Sequence, residues 1–128
     1  DVSSWSTNDG SMVARLSFFN LGIMLTGDST LKTEKIIVNE NKIEDLDSTI
    51  LKVGHHGSRT STGEAFLQSV SPMFSIISNG ENNKYGHPHQ EVLGVLESFE
   101  SRIFRTDILG TIIFRSDGEN TDFSFLGK

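Results

Sequence analysis

The chain has 128 residues, a formal net charge of −6 and a pI near 5.1, and 35% of its residues are hydrophobic. This length suits one domain with one core, and the acidic balance argues against a basic surface that binds nucleic-acid phosphates unaided. It leaves open a phosphodiester substrate whose charge is met by a bound metal. The sequence contains no cysteine, which excludes a disulfide framework and a thiolate metal site and leaves the compartment open.

The start of the chain, DVSSWSTNDGS, has neither the basic residues nor the apolar stretch of a signal peptide, and it does not begin with Met. No apolar run approaches the roughly 20 residues that span a bilayer. We therefore expect no transmembrane segment in this chain, and either processing or a chain that is a section of something longer.

The first half of the chain predicts a hairpin, a helix and a further strand. In MVARLSFF the apolar residues Met12, Ala14, Leu16 and Phe18 fall on one face, which is typical of a half-buried strand. The next strand, IMLTGD, ends at Asp28. The elements predicted here are strands at 12–19 and 23–28 with a turn at 20–22, a helix at 31–39 capped by Ser29 or Thr30, and a strand at 48–54.

The second half predicts alternating helices and strands and then three strands in succession. Ser61 to Glu64, STGE, has the pattern of a capping box at the start of a helix. Pro88 fits the first turn of a later helix, where its missing N–H costs nothing. The elements predicted here are helices at about 62–70 and 89–99, strands at 73–78, 102–106, 110–116 and 121–127, and turns at 107–110 and 117–118.

This order of strands and helices favours a layered α/β domain with an antiparallel tail. All four histidines lie in two short loops, HHGS after a predicted strand and GHPH before a predicted helix. Imidazole is a common zinc ligand, and a carboxylate such as that of Asp28 completes many such sites. Ligand sites of α/β sheets gather at the carboxyl ends of strands, so we expect Asp28, His55, His56 and the loop with His87 and His89 to lie close together.

Each motif alone also has an ordinary structural interpretation. The adjacent His55 and His56 can form a solvated turn, and Asp28 can be a turn residue or a helix cap. His87 can be an N-cap, with His89 on the surface of the first helical turn. Only the joint arrangement of the three motifs favours a functional site.

The ordered motifs LTGD, ILKVGHHGSRTS, IISNGENNKYGHPHQEVL and FRTDILGTI resemble the C-terminal half of a metallo-β-lactamase-fold hydrolase. Within that superfamily, the chain is most similar to the soluble domain of ComEC-type DNA-internalisation proteins and their free-standing relatives. The resemblance covers residues 11–113, and the four motifs in order are far more specific than any one of them. It implies the C-terminal half of an αββα sandwich, an α/β fold with a mixed sheet and flanking helices.

The resemblance also implies roles for individual side chains. Asp28 resembles the carboxylate that bridges two metals, and His56 the last histidine ligand, with His55 as second choice or neighbour. Asp107, in RTD, belongs to a motif that recurs in this branch without a clear role. The remaining roles are catalysis for His87 and His89, and substrate binding or orientation of the histidine loop for Asn83, Tyr85 and Ser58.

The family carries an HxHxDH-type ligand motif, or the HxDxDH variant of this branch, in an N-terminal half that begins with a DVGQGD-like strand. This sequence contains neither. Residues 1–128 are therefore expected to form a single, partial metallo-β-lactamase-like domain that lacks the N-terminal half. The other ligands would come from a missing half-domain or upstream chain, or the chain would self-associate.

For the intact domain, the resemblance implies hydrolysis of a phosphodiester, either DNA or a smaller molecule, by a metal-bound hydroxide. The cofactor would be a divalent metal, Zn²⁺ or Mn²⁺, with two ions per intact domain. This chain alone is expected to be inactive. The alternatives are a non-catalytic remnant that serves as an interaction module and a solitary domain that binds a single metal; an upstream HxHxDH or HxDxDH motif would favour the enzyme.

Overall fold

The structure is a computed structural model in which residues 4–127 are described. Within these residues, seven strands form two sheets: β1 (Ala14–Phe18), β2 (Leu21–Leu25), β3 (Ile50–Lys52), β4 (Phe74–Ile77), β5 (Arg102–Arg105), β6 (Thr111–Ser116) and β7 (Thr121–Leu126). Five helices connect them: α1 (Leu31–Glu40), α2 (Ile43–Leu46), α3 (Glu64–Val70), α4 (Gln90–Ser98) and α5 (Thr106–Leu109). Two short 3₁₀ turns, Asn8–Gly10 and Gly54–Gly57, complete the described part.

The larger sheet has the order β1-β2-β3-β4-β5. β1 and β2 form an antiparallel hairpin, whereas β2, β3, β4 and β5 run parallel to one another. Each parallel connection contains a helix, as a crossover of this kind requires. The sheet is therefore mixed and flanked by helices, which confirms the predicted α/β class.

The helices pack on one face of this sheet and bury the core. Alternate strand residues, such as Met24 and Leu51, point into it and meet the apolar sides of the helices. The buried core consists of Met24, Leu46, Leu51, Val53, Phe66, Leu67, Val70, Ile77, Val92 and Leu96.

The β6–β7 hairpin contributes aromatic side chains to a second cluster. Phe123 lies 4.6 Å from Phe104 and 4.8 Å from Phe74 between ring centroids, so the hairpin is joined to β4 and β5 through contacts between tilted rings. Beside this cluster lies an open, largely apolar groove of about 240 Å³, lined by Ile23, Leu25, Ile50, Lys52, Ile76, Ile112 and Phe114.

The prediction of a half-buried first strand is wrong. All five residues of β1 are exposed, including Leu16 at 56% and Phe18 at 48%. β1 is an edge strand that pairs with β2, and within the described part of the chain the core cluster contains no residue from it. Alternation of apolar residues predicts a strand, but it does not say whether an element covers the apolar face.

The predicted capping box is also wrong. The helix begins at Glu64 with Gly63 as its N-cap, and the hydroxyl of Ser61 instead donates to the carbonyl oxygens of Gly54 and Ser58. The carboxylate of Glu34, on α1, accepts the N–H groups of Thr62 and Gly63, the two residues just before the helix.

Other boundaries also differ from the prediction. Leu21 and Gly22, predicted to lie in a turn, belong to β2. Helix α4 begins at Gln90 with His89 as its N-cap, so Pro88 lies just before the cap and His87 is not the cap. The predicted turn at 107–110 is the short helix α5, which begins at Thr106.

Candidate metal and substrate site

The predicted site residues lie together at the carboxyl edge of the parallel strands. Asp28 follows β2, His55 and His56 follow β3, and His87 and His89 lie in the long loop after β4. The ring of His87 lies 5.8 Å from that of His55 and 4.9 Å from that of His89, between centroids. Because β2, β3 and β4 are parallel neighbours, three loops that are distant in sequence meet at one end of the sheet.

Asp28 and His56 form the closest pair of possible metal ligands. Oδ1 of Asp28 lies 3.4 Å from Nε2 of His56, and both side chains are a little under half exposed. Nδ1 of His56 lies 2.6 Å from the carbonyl oxygen of Ser78. A carbonyl oxygen only accepts, so Nδ1 carries the proton, and the lone pair of Nε2 faces the carboxylate when His56 is neutral.

His55 is held differently from its neighbour. Its Nε2 accepts a hydrogen bond of 3.3 Å from the side-chain amide of Asn8, and its Nδ1 lies 3.2 Å from the hydroxyl of Thr60. Both ring nitrogens are therefore occupied by the protein itself. The hydroxyl of Ser58 lies 3.0 Å from that of Thr60, so Ser58 reaches His55 through Thr60. Asn8 was not among the candidate site residues predicted from the sequence.

The two histidines lie on a strained backbone. His55 and His56 have φ of 46° and 55°, in the left-handed region that non-glycine residues rarely occupy. Such conformations persist only where the surroundings fix them, and they cluster at functional sites. Here the N–H of His55 donates to Gly27 and the N–H of His89 donates to Gly57, so all three loops are tied together through backbone bonds.

Gly57 gives the first stability prediction. Its φ is +81°, and a Cβ added there would lie 2.6 Å from Cβ of Pro88. We expect Gly57→Ala to lower the free energy of unfolding by about 2–4 kcal/mol, because left-handed strain and overpacking add. Urea unfolding followed by circular dichroism measures it. Gly94→Ala, on helix α4, is the control, because its new Cβ meets nothing within 4 Å. Its free energy of unfolding should stay the same or rise by about 1 kcal/mol. Equal changes in the free energy of unfolding at both glycines would contradict the prediction.

The loop after β4 is fixed around His87. Asn83 accepts from the backbone N–H of His87 at 2.9 Å and donates to its carbonyl oxygen at 2.7 Å. Asn79 donates to the same carbonyl at 2.9 Å. The ring of Tyr85 is exposed and stacks on that of His87, with centroids 5.7 Å apart. An open pocket of about 330 Å³ lies beside these rings, lined by His56, Ser78, Asn79, Gly80, Asn83, Tyr85 and His87.

The neighbours of the two histidines of this loop affect the pKa of His87 and the ring tautomer of His89. Burial lowers the pKa of His87, and the neighbouring His89, His55 and His56 lower it further, against a smaller opposite effect of Asp28. His87 is therefore neutral near pH 7. Nδ1 of His89 accepts the backbone N–H of Arg59 at 3.2 Å, so the proton of neutral His89 lies on Nε2.

The RTD motif supports this loop from β5. The hydroxyl of Thr106 accepts from the N–H of Asn79 at 2.9 Å and donates to its carbonyl at 2.8 Å. Asp107 pairs with the guanidinium of Arg105, whose hydrogen bond holds the pKa of that carboxyl below its usual range. The motif thus fixes Asn79, the second residue of the loop that carries His87, and Asp107 itself lies against Arg105.

Lys52 is a neighbour of the site that sequence reasoning passed over. Its ammonium group donates to the carbonyl oxygen of Gly27 at 3.1 Å, beside Asp28. Burial lowers the pKa of Lys52, while the charge of Asp28 raises it. A lone charged residue in the apolar strand ILK was the available signal.

Between residues 4 and 127, the structure contains no group of three or more His, Asp or Glu side chains arranged to hold one metal ion. Asp28 and His56 are thus a pair of candidate ligands. Over the same residues, no helix has both the length and the apolar character needed to cross a membrane.

No protein-family model matches the chain. It is 41% identical over 119 residues to the ComE operon protein 3 of Bacillus subtilis, a match that covers 93% of this chain and 15% of that protein. It is 35% identical over 107 residues to the competence protein ComA of Neisseria gonorrhoeae, covering 84% of this chain and 15% of that protein. It is 34% identical over 113 residues to recombination protein 2 of Haemophilus influenzae, covering 88% of this chain and 14% of that protein.

The matched part of this chain includes most of its length in all three comparisons, whereas it spans only about 15% of each relative. These similarities support a relationship with ComEC-type competence proteins, of which this chain matches one segment.

Proposed function

We propose that this chain is part of a metal-dependent phosphodiester hydrolase of the metallo-β-lactamase superfamily that acts on DNA during its uptake. The observation that carries the proposal is the Asp28–His56 pair, in which a carboxylate oxygen and an imidazole lone pair converge at 3.4 Å. The names of the relatives, which include a competence protein and a recombination protein, support DNA as the substrate. A smaller phosphodiester remains the other substrate that the pocket of about 330 Å³ can accept.

The geometry of the pair fits a zinc ion. Two ligands about 2.0–2.1 Å from a tetrahedral ion lie about 3.3 Å apart, close to the separation of Oδ1 and Nε2. Ligating imidazoles usually donate their other N–H to a carbonyl or carboxylate, as Nδ1 of His56 does to Ser78. Asp28 and His56 would hold the metal, and His55, whose ring nitrogens are both occupied, would support the loop. A metal bound there lowers the pKa of bound water and neutralises charge on a phosphoryl oxygen.

The surrounding side chains can bind and orient a phosphodiester. Nε2–H of His89 can donate to a phosphate oxygen, and neutral His87 can exchange a proton with the leaving group. Asn83 keeps His87 in place, and the exposed ring of Tyr85 offers an apolar wall to the sugar or base. Asn83 carries no charge and the lowered pKa of His87 favours its neutral form, so the metal would supply the positive charge that the phosphate needs.

We propose that the remaining ligands come from another segment of the intact protein. Two ligands are too few for a stable zinc site, which usually has three or four from protein. The relatives are much longer than the segment matched here, so further chain is available in them. The exposed apolar residues of β1 and the open groove beside the β6–β7 hairpin are surfaces that such a segment could cover.

Zinc binding by matched histidine variants tests the proposal. His56→Asn and His55→Asn are equivalent changes at left-handed positions, which Asn tolerates better than most residues. Zinc affinity is measured by competition with a chromophoric chelator. We expect His56→Asn to weaken binding at least about tenfold, or about 1.4 kcal/mol, and His55→Asn to change it less than about threefold.

Equal losses in both histidine variants would contradict the assignment of His56 as the ligand. A wild-type chain with no measurable affinity for Zn²⁺ or Mn²⁺, in the intact protein as well as alone, would favour a non-catalytic interaction module.

A further inference from the structure

A buried carboxylate joins helix α1 to the segment that follows the histidine loop. Oε1 of Glu34 accepts the backbone N–H of Thr62 at 2.6 Å, and Oε2 accepts that of Gly63 at 2.8 Å. Glu34 is only 2% exposed, and its burial raises the pKa of the carboxyl while the two N–H groups oppose that effect. A buried acid whose partners among residues 4–127 are two backbone N–H groups, without an ion pair there, is an uncommon arrangement, because desolvation of its charge is costly.

Glu34 acts together with a second link between the same two segments. The N–H of Leu31, the first residue of α1, donates to the carbonyl oxygen of Thr60 at 2.8 Å. Residues 60–63 are therefore fixed to the first turns of α1 at three backbone positions. Asp28 lies three residues before Leu31, and His56 lies four residues before Thr60, so each ligand leads directly into one side of this junction.

The junction holds a backbone that is unfavourable by itself. Thr62 has a φ of +65°, in the left-handed region where a β-branched side chain is a genuine outlier. The hydrogen bond from its N–H to Glu34 is one of the contacts that fix this conformation. Thr62 is buried, so a change of its backbone would displace residues on both sides.

We propose that Glu34 is a positioning residue, which fixes the loop of His56 against the helix that follows Asp28 and so sets the separation of the two ligands. The inference rests on the proposed function in its choice of ligands. Only a carboxylate offers an acceptor to each of the two N–H groups; the amide of Gln would turn one N–H toward another N–H.

The test compares Glu34→Gln with Glu64→Gln, an exposed glutamate at the start of α3. Zinc affinity is measured by chelator competition, and the protonation site of the His56 ring in the metal-free chain is measured from its ¹⁵N chemical shifts. We expect Glu34→Gln to weaken zinc binding about 10- to 100-fold, as loss of outer contacts to a metal site does. In Glu34→Gln, the ring of His56 should change from a single Nδ1–H form to a mixture of the Nδ1–H and Nε2–H forms. Glu64→Gln should leave both the zinc affinity and the ¹⁵N shifts unchanged.

A second substitution separates positioning from general loss of structure. Glycine adopts positive φ freely, so Thr62→Gly should recover at least about threefold of the affinity lost in Glu34→Gln. Zinc affinity and ¹⁵N shifts that stay at wild-type values in Glu34→Gln would overturn the inference, as would a loss of affinity that only follows the unfolded fraction. If neither the intact protein nor this chain alone binds zinc, the proposed function fails, and the metal-free ¹⁵N shifts alone decide the role of Glu34.

Discussion

Asp28→Asn in the full-length protein should lower the rate of the proposed phosphodiester hydrolysis by at least about a thousandfold. The substitution keeps the shape of the side chain and removes the negative charge that faces Nε2 of His56 at 3.4 Å. Loss of metal-dependent charge stabilisation is worth several kcal/mol, and each 1.36 kcal/mol is tenfold in rate. Release of a labelled nucleotide from DNA at saturating Zn²⁺ or Mn²⁺ measures the effect.

Asp45→Asn provides the matched control, since Asp45 is exposed on the short helix α2. It should leave the rate within about twofold of wild type, because surface substitutions away from a site are nearly neutral. A rate in Asp28→Asn that stays near that of the control would contradict the proposal that Asp28 is a metal ligand.

Phe104→Ala should destabilise the fold by about 3–5 kcal/mol. Phe104 is 5% exposed, and its ring lies 4.6 Å from Phe123 and 5.4 Å from Phe125 between centroids. It is therefore the contact through which β5 holds the β6–β7 hairpin. A loss of this size is a large part of the free energy of unfolding of a typical domain, which is about 5–15 kcal/mol. Urea unfolding measures it through the midpoint and slope of the transition.

Phe125→Ala removes a ring of the same cluster that is 41% exposed. This variant should lose clearly less free energy of unfolding, about 1–2 kcal/mol, because Phe125 buries less apolar surface than Phe104. If the two phenylalanine variants are equally stable, the hairpin does not depend on Phe104.

The order of strands and helices was predictable because most elements carry a local signal. The strand ILK lies inside a β-branched run, and helix α4 follows a proline and has apolar residues at helical spacing. The exposure of β1 and the cap of α3 were not predictable. They depend on which distant element covers a face or supplies an acceptor, and Glu34 lies 28 residues before Thr62, the first N–H that it binds.

In the candidate site, too, some features have a local signal in the sequence and others depend on distant residues. The closeness of Asp28, His56 and His87 was predictable from their places at the ends of strands, whereas their roles stay a prediction. The contacts that distinguish His55 from His56 come from Asn8 and Ser78, which lie 47 and 22 residues away in sequence. No local pattern predicts such partners, because they are brought into place only when the strands pair.

The three loops of the site follow three consecutive parallel strands, and this has a consequence for assembly. Parallel strands can pair only after a long connection has closed, which makes such contacts slow to form. Asp28, His56 and His87 are therefore far apart in the unfolded chain and meet only when β2, β3 and β4 have joined. Any ligand that bridges these loops binds the native state alone, so its binding free energy adds to the stability of the whole domain.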